Sequence, residues 1–465
     1  MTYNREILRL AVPSILANLT VPLVGLVDIA ITGHLGDLAG KEGFAAASLI
    51  GGITVGSMLF DLLYWSLSFL RTGTGGMTAQ SYGRSLLSGD FREAGRILFR
   101  ALTLALGSAL LFIALQEVFL QVSYLCVNCS EEVRILYSRY FHIRIWAAPA
   151  TLSLFAFKGW YIGMQDTVTP MLTDLIVNTI NVGASILLAF GAGRFEGIGY
   201  NGVALGTVIA QWSGLLFALS VLLFRYRKKV FPGFTSKDAR ETLSDRAAFG
   251  GFFSLSRNLF LRSIGLIAIY IGYTTIAARF GDTLLSVSAI MMKLLLIFSY
   301  FTDGFAFAGE AMTGKYIGLK DKDGLSGTIR GTFAWSMGIA VFFIGIYALA
   351  GEPMLRLLTS DESLVAAAVP YLPWLMVMPL IGCPAFTWDG IYLGATAARP
   401  IRDASLLSAA GFFAAWFAGI AILKYAFPGY DPAVRLHVLL AAYFVHLAVR
   451  AVYQTIIRKP WSVML

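Results

Sequence analysis

Asp28 is the residue of this chain whose type and placement most directly offer chemistry. It lies in the apolar stretch PLVGLVDIAITGHLG, with no cation within a helical turn along the sequence. An ionisable side chain inside a membrane span is costly, which makes it a functional candidate by default. Removal from water penalises the charged form of a carboxylate, so Asp28 could take up a proton or join other oxygens around a sodium ion. Asn178, Asn181 and Ser185 are spaced three and four apart and share one helical face. Thr207 follows on the next apolar run. If the first helix ends near Gly33, Asp28 lies roughly 8 Å inside its outer end, and Asn181, Ser185 and Thr207 fall roughly 16, 10 and 12 Å deep. Together they would form an oxygen-rich site, although buried amides and hydroxyls also serve simply to join helices. Pro13 and Pro22 interrupt the same first helix; proline removes a backbone hydrogen bond, so either is a candidate hinge near Asp28.

The later part of the chain carries a different set: Arg257, Arg262, Lys293, Asp303, Glu310 and Asp389. Lys293 needs a carboxylate partner if it is buried, with Asp303 or Asp389 the candidates. Such pairs contribute little net stability but are costly to break. Asp61 and Arg71 bracket YWSLSFL and read as an ion pair or as snorkelling side chains. Four scattered histidines have no metal-ligand spacing, so no metal site or cofactor is expected beyond the ion itself. Cys126 and Cys129 are either two small loop residues or a disulfide in an oxidising compartment.

The elements that must hold these residues are transmembrane helices. The 465 residues are 57% hydrophobic and 14% charged, against about 25% charged for a soluble domain. Mean hydropathy is +0.72. The apolar runs are mostly 20–30 residues long and do not alternate, which fits helices rather than barrel strands. Twelve spans are expected near 6–33, 43–70, 97–123, 139–164, 168–192, 199–224, 249–278, 284–312, 328–350, 365–395, 400–426 and 434–457. The first run is too long for a signal-peptide core and reads as a permanent helix. A basic stretch, RYRKKVFPGFTSKDARETLSDR at 225–246, separates two six-helix halves, 1–224 and 247–465. With a cytoplasmic N-terminus, the cytoplasmic segments hold about 21 Lys and Arg and the opposite ones about seven, so both termini are placed in the cytoplasm. That bias accounts for the net charge of +9 without nucleic-acid binding. A bacterial inner membrane is the expected location.

The halves repeat one another. In KGWYIGMQDTVTP and DGIYLGATAARP, Gly159, Tyr161 and Gly163 align with Gly390, Tyr392 and Gly394, and Pro170 with Pro400 after a one-residue gap. TAQSYG, ending at Gly83, matches TGKYIG, ending at Gly318. A parallel repeat around a central cavity is a common transporter plan.

LVDIAITGHLG (26–36), LYWSLSFLRTGTGGMTAQSYG (63–83), KGWYIGMQDTVTP (158–170) and WDGIYLGAT (388–396) together resemble the multidrug and toxic compound extrusion (MATE) family, and within it the DinF branch. The resemblance implies an all-α fold of twelve helices in two pseudo-symmetric lobes, V-shaped around a cavity. It also implies export of organic cations or other amphipathic toxicants, driven by inward proton or sodium flow. The acid of the first helix falls on Asp28, the family's Asn and Thr of the cation site on Asn181 and Thr207, and the bending proline on Pro13. Many relatives carry an Asp where this chain has Ser185, which leaves one titratable group and favours protons over sodium. The expected partners are membrane lipids and hydrophobic or cationic small molecules, with the protein acting as a monomer. A lipid-linked oligosaccharide flippase of the same superfamily is the alternative. A membrane-embedded enzyme is not expected, since no nucleophile, base and metal ligands cluster in the sequence.

Overall fold

The computed structural model describes residues 2–37, 44–232, 235–359, 361–427 and 429–457. These form twelve helical rods, with no strand among the described residues beyond one isolated bridge between Ala192 and Phe195. The first rod is Thr2–Asp37. The second joins Ala46–Ser66 to Phe69–Ser88, and the third joins Arg92–Ala114 to Gln116–Cys126. The fourth runs through Glu131–Arg144, a 3-10 turn at Ile145–Ala147, and Ala148–Gly163. The fifth is Val168–Phe190; the sixth is Tyr200–Val221 continued by a π-helical turn and Arg227–Val230. The remaining six begin at Arg246, Asp282, Lys322, Glu362, Ala398 and Val434. Ten rods meet the length and apolarity of a membrane span among the described residues. The other two are the first and the fourth, the latter opening on the charged run EEVRILYSRYFHIR.

Several rods outrun the apolar runs that announce them. The second continues through TAQSYGRSLLS to Ser88 and stops only at Gly89, where φ is 74°. That left-handed conformation suits glycine at a helix end. The eighth, Asp282–Leu319, has 38 residues. A helix of that length spans about 57 Å at the standard rise, well beyond the ~30 Å of bilayer hydrocarbon. Its polar end, TGKYIGL, is therefore helix rather than loop. Of the break expected between the first two spans, residues 34–37 continue the first helix and the rest lies outside the described residues.

The repeat has a physical basis in backbone approach. A Cβ on Gly159 would collide with the carbonyl oxygen of Arg71, and one on Gly163 with that of Gly75. In the second half, Gly390 meets the carbonyl of Ala306 and Gly394 that of Glu310 in the same way. Tyr161 donates 2.7 Å to the Ala218 carbonyl, and Tyr392 donates 2.7 Å to that of Gln454. Both helices end in the same turn: Gln165 and Thr396 take positive φ, of 63° and 55°. Asp166 N then donates to Tyr161 O as Ala397 N does to Tyr392 O. Matched glycines thus fasten the fourth rod to the second and the tenth to the eighth, and matched tyrosines fasten the fourth to the sixth and the tenth to the twelfth.

The chain divides into two compact units, Leu16–Gly251 and Met1–Ile15 with Phe252–Leu465. The core of the Leu16–Gly251 unit contains Phe60, Tyr140, Phe141 and Tyr200; that of the other contains Phe298, Phe343, Tyr347 and Tyr371. The units differ from the sequence halves at the start of the chain, because residues before Leu16 cluster with the second half. Glu6 accepts 3.0 Å from Lys315 Nζ, Asn4 accepts 3.3 Å from Trp335, and the Tyr3 and Tyr316 rings meet edge-on. Gly304 leaves room for Ala11 and Ile15, and Gly331 for Ile7. The first rod therefore begins in one unit and continues into the other, and its helical backbone passes unbroken through Pro13 and Pro22. Pro13 stands two residues before the crossing; the Pro22 side chain lies outside those described.

The basic stretch between the halves is structured. Ser236–Ser244 is a helix with a capping box between Thr235 and Asp238. Those hydrogen bonds from Thr235 hold the Asp238 carboxyl below its usual range. Arg100, 7% exposed on the third rod, donates to Thr242 O and Asp245 Oδ2 at 3.2 Å each and docks this helix. Cys126 and Cys129 are free thiols.

If close backbone approach carries the repeat, Gly159→Ala and Gly390→Ala should each destabilise the protein by about 1–3 kcal/mol. Gly338→Ala, at a helical position with open space around it, should be neutral or slightly stabilising. Thermal melting of purified protein in detergent reads the difference.

Candidate coupling site

The Leu16–Gly251 unit holds the first group of polar residues singled out by the sequence. Asp28 is 6% exposed, and its Oδ1 has no hydrogen-bond partner among the described residues. The first rod runs on to Asp37 rather than stopping at Gly33. At the helical rise per residue, Asp28 therefore lies about 14 Å from the helix end, deeper than the sequence suggests. The fifth helix ends at Phe190 and the sixth begins at Tyr200. By the same rise, Asn181 lies about 14 Å, Ser185 about 8 Å and Thr207 about 11 Å from those ends.

Small residues bring the fifth and sixth helices together. Gly202 and Gly206, four apart, admit the backbone of Leu188–Ala189 and of Ser185, where a Cβ would collide. Ser185 faces Gly206, and its Oγ lies 3.5 Å from the Val203 carbonyl, to which it donates. One turn deeper, Asn181 Nδ2 donates 3.0 Å to Thr207 Oγ1, which itself donates 3.3 Å to Val203 O. Asn181 Oδ1 is left as a buried acceptor with no donor among the described residues. Asn178 turns toward the first helix and donates 2.7 Å to Thr20 Oγ1. The fifth helix thus connects to both neighbours: Asn178 to the first, Asn181 and Ser185 to the sixth.

A cation whose field reaches Asp28 comes from a distant part of the chain. Arg144, the last residue before the 3-10 turn of the fourth rod, donates 2.8 Å to Tyr140 Oη and 3.0 Å to Ser57 Oγ. Its guanidinium lies 5.0 Å from the Phe60 ring centroid and 5.4 Å from that of Tyr140. Its charge reaches Asp28 on the first helix and Asp61 on the second. Asp28 is legible from its own flanks, whereas sequence reasoning misses Arg144. The available signal is a basic residue inside an expected span, the same criterion that picks out Asp28.

A family model described as MatE matches residues 13–187 and 259–413, taking in both repeats. The chain belongs to the MatE family. Over 409 residues it is 33% identical to DNA damage-inducible protein F of Escherichia coli (strain K12), covering 88% of this chain and 84% of that one. It is 26% identical to the probable multidrug resistance protein NorM of Caulobacter vibrioides, over 86% and 80% of the two chains. A crystal structure of MATE in the bent conformation matches with a TM-score of 0.80 at 16% identity, over 99% and 97%; that likeness is one of fold. This MatE protein is a multi-pass membrane transporter of the multidrug and toxic compound efflux type.

In its second half the MatE chain arranges the expected charges differently from the sequence reading. Asp389 does not pair with Lys293. Its Oδ2 accepts 2.6 Å from Arg262 Nη2 and 2.6 Å from Arg450 Nη2, and its Oδ1 accepts 2.6 Å from Gln454 and 3.3 Å from Arg450 Nε. Lys293 lies on an exposed face of the eighth rod. A basic side chain there can snorkel and does not require a buried acid. Glu310 is fully buried on that rod, where its backbone carbonyl also meets Gly394; Asp303 is half-buried two turns earlier. Asp389 is therefore a brace joining the seventh, tenth and twelfth rods, and Arg450 is its unsignalled partner. At the helix junction of the first half, Asp166 plays a comparable part, accepting from Thr169, Arg225 and Tyr226.

Asp389→Ala leaves two guanidiniums around an empty position and should cost about 3–5 kcal/mol. Replacing Arg262 and Arg450 by Met in the same protein should recover most of that loss, as read by thermal melting.

Proposed function

We propose that the protein is a secondary antiporter that exports hydrophobic or cationic small molecules in exchange for protons moving inward, with Asp28 as the coupling acid. The observation that carries this reading is a buried carboxylate within a span, one oxygen of which has no hydrogen-bond partner among the described residues. A carboxylate so placed is stable in either of two forms: protonated, or with a cation beside it. The two forms exclude one another. Proton arrival from outside displaces the exported cation, and inward release of the proton restores the acceptor. The substrate needs no covalent chemistry, and no cofactor enters the scheme.

Asn178, Asn181 and Thr207 position the helices on which Asp28 acts, through Thr20 and the Asn181–Thr207 hydrogen bond. The Pro13 region supports a hinge role, since the first helix changes compact unit there. The membrane is the bacterial inner membrane, with both termini cytoplasmic, and the transporter works as a monomer among lipids.

A sodium-coupled cycle draws on one observation of its own: Asn181 Oδ1 is, like Asp28 Oδ1, a buried acceptor with no donor among the described residues. Reconstituted vesicles with imposed pH or sodium gradients separate the two. Proton coupling predicts efflux under a pH gradient without sodium. Asp28→Asn should abolish that efflux while the protein keeps its melting temperature within a few degrees; full efflux by the variant would remove Asp28 from the mechanism.

A further inference from the structure

The Leu16–Gly251 unit contains two opposite charges that are not spent on one another. Arg144 is held by neutral groups: the Ser57 and Tyr140 hydroxyls, with the Phe60 and Tyr140 rings beside its guanidinium. Asp28 keeps an oxygen with no donor among the described residues although the field of Arg144 reaches it. The other charged or titratable groups around Arg144 are Asp61 and Tyr64 on the second rod and Tyr140 on its own, with Tyr200 of the sixth packed against Tyr140. Asp61 is exposed on the second rod, whereas Asp28 is buried.

An exchanger with one buried acid has a difficult step. After the proton leaves and before substrate arrives, the carboxylate is charged and bare in a low-dielectric interior. A flexible guanidinium within electrostatic reach neutralises it without any ligand. The neutral cradle of Ser57, Tyr140 and Phe60 gives that guanidinium somewhere to return, since aromatic faces and hydroxyls hold a cation without binding it irreversibly.

We propose that Arg144 is a tethered stand-in for the exported cation: it neutralises Asp28 when the site holds neither proton nor cationic substrate, and withdraws to Ser57 and Tyr140 when either arrives. The proposal rests on Asp28 being the coupling acid. It makes Arg144 a specificity-determining residue, because every cationic substrate must displace it while a neutral one need not. Affinity for cations is thereby capped and their release hastened.

The test uses the full chain in lipid nanodiscs with two probes of similar shape, the permanent cation tetraphenylphosphonium and neutral triphenylphosphine oxide. Arg144→Gln removes the competitor and should tighten tetraphenylphosphonium binding about tenfold or more, leaving triphenylphosphine oxide within roughly twofold. Arg144→Lys keeps the charge and should stay near the parent. In vesicles, KM and kcat of Arg144→Gln for the cation should fall together as release slows. In an Asp28→Asn background the effect of Arg144→Gln should vanish. Tyr140→Phe frees Arg144 from its cradle and should shift cation affinity the opposite way, which keeps the test decisive if Arg144→Gln does not fold. Equal changes for both probes, weaker cation binding in Arg144→Gln, or an unchanged effect in Asp28→Asn would overturn the proposal. Intact proton-driven efflux by Asp28→Asn alone would instead overturn the coupling role of Asp28.

Discussion

Apolar helices in a bilayer gain little by burying one another, because lipid chains are as apolar as leucine. What remains to hold them is close packing of backbones and a few polar contacts. In this protein glycine lets backbones come together, with a carbonyl oxygen where a Cβ would have stood: Gly159 on Arg71, Gly163 on Gly75, Gly390 on Ala306, Gly394 on Glu310. These four contacts set the distance between the second and fourth rods and between the eighth and tenth. The same helix ends carry the turns at Gln165 and Thr396 and the bonds of Tyr161 and Tyr392 to the sixth and twelfth rods.

The symmetric frame carries unlike polar groups. The same helix junction is braced by Asp166 in one half, with Arg225, Tyr226 and Thr169 around it. In the other half Asp389 does the bracing a few residues earlier, deeper in the rod, with two arginines and a glutamine. Asp28 has no counterpart in such a brace. An acid with its hydrogen-bonding capacity filled is an anchor, and one with an unfilled oxygen is open to a ligand. Burial alone does not separate the two, since both Asp28 and Asp389 are buried.

Much of this is legible in the amino-acid order. Twelve spans, the parallel repeat and the prominence of Asp28 all come from patterns local to one helix or one junction: an apolar run, a Gly-x-Tyr-x-Gly string, a lone acid among Val, Ile and Ala. The parts that escape it concern pairing across long separations. Arg144 meets Ser57 across 87 residues and Arg262 meets Asp389 across 127, distances over which sequence proximity says nothing. The place of Lys293 in an apolar run suggests burial and hence a carboxylate partner, but its helix turns it outward. Helix ends are hidden for a related reason. Strings such as TAQSYGRSLLS and TGKYIGL are polar enough to suggest a loop, yet their small residues are what let helices continue beside one another.

The strapping of residues 3–15 to the eighth and ninth rods bears on how the chain is assembled. Glu6 must wait for Lys315, 309 residues later, and Asn4 for Trp335, 331 residues later. These turns precede their partners by some 300 residues and are therefore among the last to find their neighbours. Until then the first helix is held from its middle onward, by partners such as Asn178, which bonds Thr20. The two halves, despite their internal repetition, are therefore not separable modules. The later half completes its packing only with a segment made some 300 residues before it, which turns a duplicated architecture into one indivisible product.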